Sequence, residues 1–415
     1  MTDGPAAEPP SPLRFRDFRL FWVARFCAVL ATQAQGAAVA WQVYELARER
    51  GGVAEAAFLV GLVGLAQFLP LFALALPAGE VADRRNRRVI LQLCIGAELV
   101  CAAALAVSVF LNGGSLTVIF TALVLFGAAR AFLGPAATAL GPMLVPAASL
   151  PRAVALNSLS FQTGSILGPA VGGLLCAISP AAAYGTAGAL FAVSVVLLGL
   201  IRSHTTPAAQ AAISRLAAIR EGLAYVWREK IVLGAISLDL FAVLLGGATA
   251  LLPVFARDIL QVGPEGFGVL RAAPAVGAVI TAAILARRPL KRFAGRWMFG
   301  GVAVFGLATI AFGLSTWWPL SLAALAVLGA ADMVSVFIRQ TLVQVTTPDA
   351  MRGRVGAVSQ LFISASNELG EFETGVVARF LGPVGAAVFG GVGALGVTGL
   401  WAWMFPELRK ADRLG

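Results

Sequence analysis

Twelve apolar runs, each close to the length of a bilayer crossing, leave this chain little choice of fold. They lie at about 18–44, 54–78, 89–111, 116–145, 153–178, 182–201, 231–256, 265–286, 297–315, 319–346, 355–380 and 384–405, numbered here as spans 1 to 12. A helix needs roughly 20 apolar residues to cross the hydrocarbon core. Backbone in lipid must also satisfy its own hydrogen bonds, so each run reads as a helix. Turn signals separate the runs, as at Asn112-Gly113-Gly114, Ser179-Pro180, Val262-Gly263-Pro264, Trp317-Trp318-Pro319 and Leu381-Gly382-Pro383. Only 13% of residues are charged, against about a quarter in a soluble domain. The expected fold class is an all-α integral membrane protein with twelve transmembrane helices.

The net charge of +10 does not mark a nucleic-acid binder, because the basic residues recur in short loops instead of forming one stripe. Of the 31 Lys and Arg residues, 23 fall on the face that carries both termini, 4 on the opposite face and 4 within spans. The positive-inside rule then places both termini on the cytoplasmic side of the membrane. All four cysteines lie in apolar runs, and Cys94 and Cys101 are about 10 Å apart along one helix, too far for a disulfide. No CxxC or His cluster suggests a metal, and no cofactor motif is present. The single histidine, His204, reads as an ordinary loop residue. The N-terminal stretch lacks the basic start and cleavage site of a signal peptide.

The expected organisation is a disordered tail (1–17), a six-helix bundle (18–201), a central loop (202–230), a second six-helix bundle (231–405) and a short tail (406–415). In the central loop Ile213, Leu216, Ile219, Leu223, Val226 and Trp227 recur at helical spacing among Arg215, Arg220 and Arg228. That pattern reads as an amphipathic helix on the membrane face. The halves look like repeats. An offset of 202 carries Gly127-Ala128-Ala129 to Gly329-Ala330-Ala331, Pro146 to Pro348, Arg152 to Arg354, Gly168 to Gly370 and Gly173 to Gly375. Parallel six-helix repeats are a transporter architecture built for alternating access.

The stretch Gly79-Glu80-Val81-Ala82-Asp83-Arg84-Arg85-Asn86-Arg87-Arg88 resembles the loop 2–3 signature of the major facilitator superfamily, G-x-x-x-D-R-x-G-R-R. Asn86 replaces the usual glycine, and asparagine also tolerates a left-handed turn. Gly164, Gly168, Pro169, Gly172 and Gly173 in span 5 are similar to the antiporter signature, with Ala155 where an upstream glycine is usual. Arg130 followed by Gly134 is similar to the span 4 motif, with Leu133 replacing glutamine. DFRLFW near the start, RGRVGAV at 352–358 and SNELGE at 366–371 resemble the branch containing the bacterial enterobactin exporter and related drug-efflux proteins. The resemblance implies the major facilitator fold, two pseudo-symmetric six-helix bundles, with spans 1, 4, 7 and 10 lining a central cavity. It also implies a gate: Asp83 latching the halves against Arg352 and Arg354 at the start of span 11, with Gly79 permitting close approach and Arg84, Arg87 and Arg88 in support. A solvated turn obeying the positive-inside rule is the alternative.

Charges inside a bilayer are costly and mark substrate or ion pathways. The candidates are Arg25, Arg130, Asp239, Asp332, Arg339, Glu368 and Glu371. Arg130 and Asp332 are related by the offset of 202, and Arg25 and Asp239 by one of 214, so one half is basic where the other is acidic. Either these charges face one another across the cavity and exchange partners, or they form structural ion pairs. Glu368 and Glu371 share one helix face and suit a proton carrier, as does Asp239; pairing of one of them with Arg339 is the other reading. Glu98 reads as a packing contact. The glycines of span 5 fall on one stripe and suit close helix packing. No nucleophile constellation or Walker sequence is present. The reading is therefore not an enzyme but a secondary active transporter, expected to be monomeric and lipid-embedded. It would export a small organic molecule, siderophore-like or drug-like, in exchange for protons. A general multidrug pump and a non-transporting membrane sensor or scaffold are the alternatives.

Overall fold

In the computed structural model, residues 10–203, 205, 215–288, 290 and 292–412 are described. Residues 1–9 of the expected tail, His204, Ile213, Lys291 and Arg413 lie outside them. The spans are helices at Arg16–Arg50, Val53–Arg84, Arg87–Asn112, Leu116–Met143, Leu150–Ile178, Pro180–Gly199, Lys230–Ile259, Gly263–Arg287, Ala294–Leu314 and Trp318–Thr346. Spans 11 and 12 run over 349–381 and 383–404, joined only by Gly382 at φ 72°. That left-handed conformation suits glycine, and Pro383 opens the next helix. Span 7 is interrupted at Gly246-Gly247, continues as a short 3-10 turn, and ends in a π-helical turn at Phe255–Ile259.

The repeat is visible in matched contacts between helices. In span 5 a Cβ built on Gly168 would stand 3.0 Å from Leu30 O of span 1; in span 11 one on Gly370 would stand 3.0 Å from Leu244 O of span 7. Leu30 and Leu244 are related by the 214 offset. Gly127 of span 4 meets Gln67 O of span 2, and Gly329 of span 10 meets Pro274 O of span 8. Gly61 of span 2 meets Glu371 O and Gly375 of span 11, while Gly268 of span 8 meets Pro169 O and Gly173 of span 5. These contacts add an offset of 207, linking span 2 to span 8. At each of these places the halves require glycine for the same reason: another backbone occupies the space a side chain would fill.

Both described ends of the chain emerge on one face, here the near face. The two halves are closed together at the opposite, far face. One apolar core there draws on both, with Val39, Tyr44 and Val60 beside Phe255, Phe267 and Phe312. Toward the near face, spans 2 and 5 expose Leu69, Phe72, Leu76, Leu159 and Phe161.

The central helix, Arg215–Arg228, spends part of its apolar stripe on the second bundle. Ile219, Leu223 and Val226 pack on Val232 and Ile236 of span 7, Val343 of span 10 and Val355 and Val358 of span 11. Gly222 lies against Arg354 O. Trp227 is left outward, 66% exposed.

Candidate functional site

Mid-depth charges form two groups. The first joins the halves. Arg130 of span 4 forms an ion pair with Glu368 of span 11, Nη1 to Oε1 3.2 Å, and donates to Gln67 Oε1 of span 2 at 3.2 Å. Glu371, one turn along, has Glu368, Arg271 and Arg130 as electrostatic neighbours. Gly64 makes room for this group: a Cβ there would stand 2.8 Å from Glu368 O and 3.1 Å from Glu371 Oε2. Behind Arg130, Glu98 of span 3 is fully buried, and neither carboxylate oxygen makes a hydrogen bond.

The second group lies within the second half. Arg339 of span 10 pairs with Asp239 of span 7, Nη2 to Oδ2 3.4 Å, with side chains only 3% and 7% exposed. Arg339 also donates to Ser359 of span 11 at 3.2 Å. Asp332, two turns before Arg339 on span 10, lines a small hollow with Asp239 and Ser335. On its other side Arg339 borders a cavity of about 290 Å³, lined also by Gln340, Gln344, Arg352, Ser359 and Gln360.

These partners correct the sequence reading. Arg130 does not face Asp332, and Arg25 does not face Asp239. Asp239 takes the guanidinium of Arg339 within one bundle, with Asp332 nearby, while Arg130 crosses to Glu368. Nor does Glu368 pair with Arg339. The physical reason is one of reach: Arg339 lies seven residues beyond Asp332, two turns along the same helix, and its long side chain spans to Asp239. Arg25 is half-buried in span 1, and its Nε makes no hydrogen bond.

The near-face signature is mostly helix. Span 2 runs through Gly79 and Asp83 to Arg84, span 3 starts at Arg87, and only Arg85 and Asn86 intervene. Asn86 is not left-handed. At φ −61° and ψ 113° it caps span 3, accepting from the Arg88 and Val89 amides. Arg84 pairs with Glu80 at 2.7 Å. Arg87 donates to Ala82 O and Ala139 O at 3.3 and 3.2 Å, and Arg88 donates to Ile201 O. These arginines therefore tie spans 2, 3, 4 and 6 together. Arg352 donates to Gln344 O and Thr347 O at 3.0 and 3.3 Å. Arg354 pairs with Glu221 of the central helix, a carboxylate the sequence reading did not consider.

The glycine stripe of span 5 lies on span 1. Gly164 faces Val29 and Leu30, Gly168 faces Gln33 and Leu30, and Gly172 faces Ala34. Gly173 and Pro169 instead meet Gly268 in the other half. The sequence reading missed a polar cluster at the far face. Arg257 pairs with Glu45 at 2.5 Å and Arg48 with Asp258 at 3.6 Å, and the Tyr44 hydroxyl donates to Asp258. Counting Arg48 and Arg257 as topology signals hid them. The paired placement of Glu45 and Arg48 on span 1 and Arg257 and Asp258 on span 7 was the available clue.

Comparison with known proteins gives a consistent result. The family model described as "Transmembrane secretion effector" matches residues 7–414. The enterobactin exporter EntS of Shigella boydii serotype 18 is 29% identical over 396 residues, covering 95% of this chain and 92% of that protein. EntS of Escherichia coli O1:K1 / APEC is 28% identical over the same shares. Among solved structures, the POT family transporter PepTSo matches with TM-score 0.72 at 14% identity, over 95% of this chain and 98% of that one. A D-xylose-proton symporter matches with TM-score 0.70 at 15% identity, over 94% and 97%. At these identities the solved structures speak for the fold alone.

Proposed function

The chain belongs to the transmembrane secretion effector family of major facilitator transporters, and on that premise we propose that it exports a small, oxygen-rich organic anion in exchange for protons. As a member of a transporter family resembling enterobactin exporters, it is a multi-pass membrane efflux protein. The observation that carries the finer reading is the Arg130–Glu368 pair, an ion pair at mid-depth between two bundles that are closed at one face. Alternating access requires such a contact to break when the other face closes. Arg25, Arg130 and Arg352 supply positive charge, and the cavity beside Arg339 adds three glutamines and a serine as donors. Guanidinium and amide donors suit carboxylate, phenolate or catecholate oxygens. A siderophore of the kind named for the relatives fits that chemistry, and so does an anionic drug. The near face is assigned to the cytoplasm from its 23 basic residues. The halves then stand closed toward the outside.

The near-face gate follows from this assignment. Closing that face brings Asp83 to the start of span 11, where Arg354 exchanges Glu221 for Asp83, and Arg352 and the helix N-terminus add to the attraction. Asp83→Asn should hold the protein open on the near face, seen as raised accessibility of single cysteines placed in the cavity. Unchanged accessibility would count against the latch.

Transport itself is tested in everted vesicles with an imposed pH gradient and a panel of enterobactin, carboxylate drugs and cationic dyes. Gradient-driven movement of the anionic compounds supports the reading. Movement of the cationic dyes alone would favour a multidrug pump, and ligand binding without flux would identify a sensor.

A further inference from the structure

The second half holds a charge imbalance beside an unfilled polar position. Asp239 and Asp332 are the charged residues lining the hollow, which spans 7, 9 and 10 enclose, and Arg339, paired with Asp239, contributes a single guanidinium beside it. The hydroxyls nearby are Ser335 and, beyond Arg339, Ser359. Fully ionised, the group carries one uncompensated negative charge at mid-membrane depth, an expensive arrangement. Asp239 is the acid in contact with Arg339. Among the described residues Asp332 makes no ion pair within 4.0 Å and no hydrogen bond.

A second, independent observation points into the same place. Ser335 lies three residues after Asp332, on the same face of span 10. It is 2% exposed, its Oγ has no hydrogen-bond partner, and it lines the hollow. A buried hydroxyl is rarely left without a partner. The hollow measures about 10 Å³, the space of one water molecule. Its other walls are Ala242, Val243, Val302, Phe305 and Ala331.

We propose that Asp332 is the proton-binding site of the transport cycle, with one water in the hollow bridging it to Ser335 and with Asp239 held ionised by Arg339. The proposal rests on the proton-antiport reading above and assigns its proton to one carboxyl. Proton binding makes an O–H bond on Asp332 and brings the group from a net charge of −1 to zero; release returns the proton to water reached through the cavity bordered by Arg339. A metal cation suits the site less well. Hard cations gather about six or more oxygen ligands, and the hollow offers only two carboxyls and one hydroxyl among apolar walls. Glu368 and Glu371, by contrast, have Arg130 across the junction of the halves and Arg271 of span 8 in their own half as electrostatic neighbours. Glu368 is tied to Arg130 of the other half, so this acid serves the junction and not the store.

The test uses the purified full-length protein without substrate. Dicyclohexylcarbodiimide attacks protonated carboxyls in apolar surroundings, and peptide mass spectrometry locates the adduct. The expected adduct is on Asp332, declining as pH rises and indifferent to saturating sodium. Asp239→Asn frees Arg339 to pair with Asp332, so labelling of Asp332 should fall at least tenfold. A merely structural pair predicts no such fall. Adduct confined to Glu368 or Glu371, no adduct on Asp332, or protection by sodium would overturn the assignment. Flux in everted vesicles separates the two ideas. Labelled Asp332 without pH-gradient dependence supports the site and removes antiport, whereas gradient dependence without label on Asp332 retains antiport and removes the site.

Discussion

Arg130–Glu368 and Arg339–Asp239 are both ion pairs at membrane depth, of nearly equal length, 3.2 and 3.4 Å. They differ in what they connect. The first links the two bundles, and Arg130 is 36% exposed in its side chain; the second lies inside one bundle and is almost wholly buried. A pair between rigid bodies reports on their relative position and, on the proposed mechanism, is remade in each cycle. A pair inside one body is carried along by it. The difference separates conformational control from charge storage, two tasks that residue type alone does not distinguish.

The sharpest way to break the comparison is to delete the buried guanidinium. Arg339→Ala leaves two carboxylates facing each other without a counter-ion and should lower stability by about 3–5 kcal/mol, read as a fall in melting temperature in detergent. If the variant melts with wild type, the buried pair is not structural. The glycines give the next effect. Gly168→Ala crowds Gln33 and Leu30 within one half, whereas Gly173→Ala crowds Gly268 across halves. Both overpack by about 1–3 kcal/mol, but only Gly173→Ala should reduce disulfide cross-linking of cysteines placed on spans 5 and 8 at the far face. Equal loss in both variants would dissolve the distinction between packing and docking.

Glu368→Gln is expected to weaken the closure of the far face by about 1–2 kcal/mol, the range of a charged hydrogen bond discounted for exposure. Spin-label distances between spans 2 and 11 should broaden, with little change in melting temperature. Smallest of all is Glu221→Gln. Its pair with Arg354 is exposed, 56% on the glutamate side, and such pairs contribute roughly 0–1 kcal/mol. Its effect should show in near-face cysteine accessibility and not in stability.

The spans were legible because lipid admits one pattern: twelve apolar runs with turn residues between them. Even the turn at Gly382 was marked by Leu381-Gly382-Pro383, although no loop exists there. The glycines of span 5 were legible as packing because their four-residue spacing fixes a common face. Charge partners were not. Sequence offsets reveal which positions are equivalent in the repeat, but equivalence does not imply contact. Arg130 and Asp332 are equivalent and each finds a different neighbour. Glu221 and Asp258 escaped notice for another reason: acids near a membrane surface carry no local pattern and acquire meaning only from the arginine placed opposite. Asn86 misled through its chemistry, since the same side chain that permits a left-handed turn also caps a helix.

The π turn at Phe255–Ile259 holds Arg257 and Asp258 opposite Glu45, Arg48 and Tyr44. A π turn contains one residue more than the α-helical winding around it needs. Removing a single residue there would restore regular winding and turn the residues that follow within that turn by about 100°, moving one charged side chain away from span 1. The strength of the far-face seal is therefore adjustable by a change of length at one point, a route open to this helix and closed to an uninterrupted one.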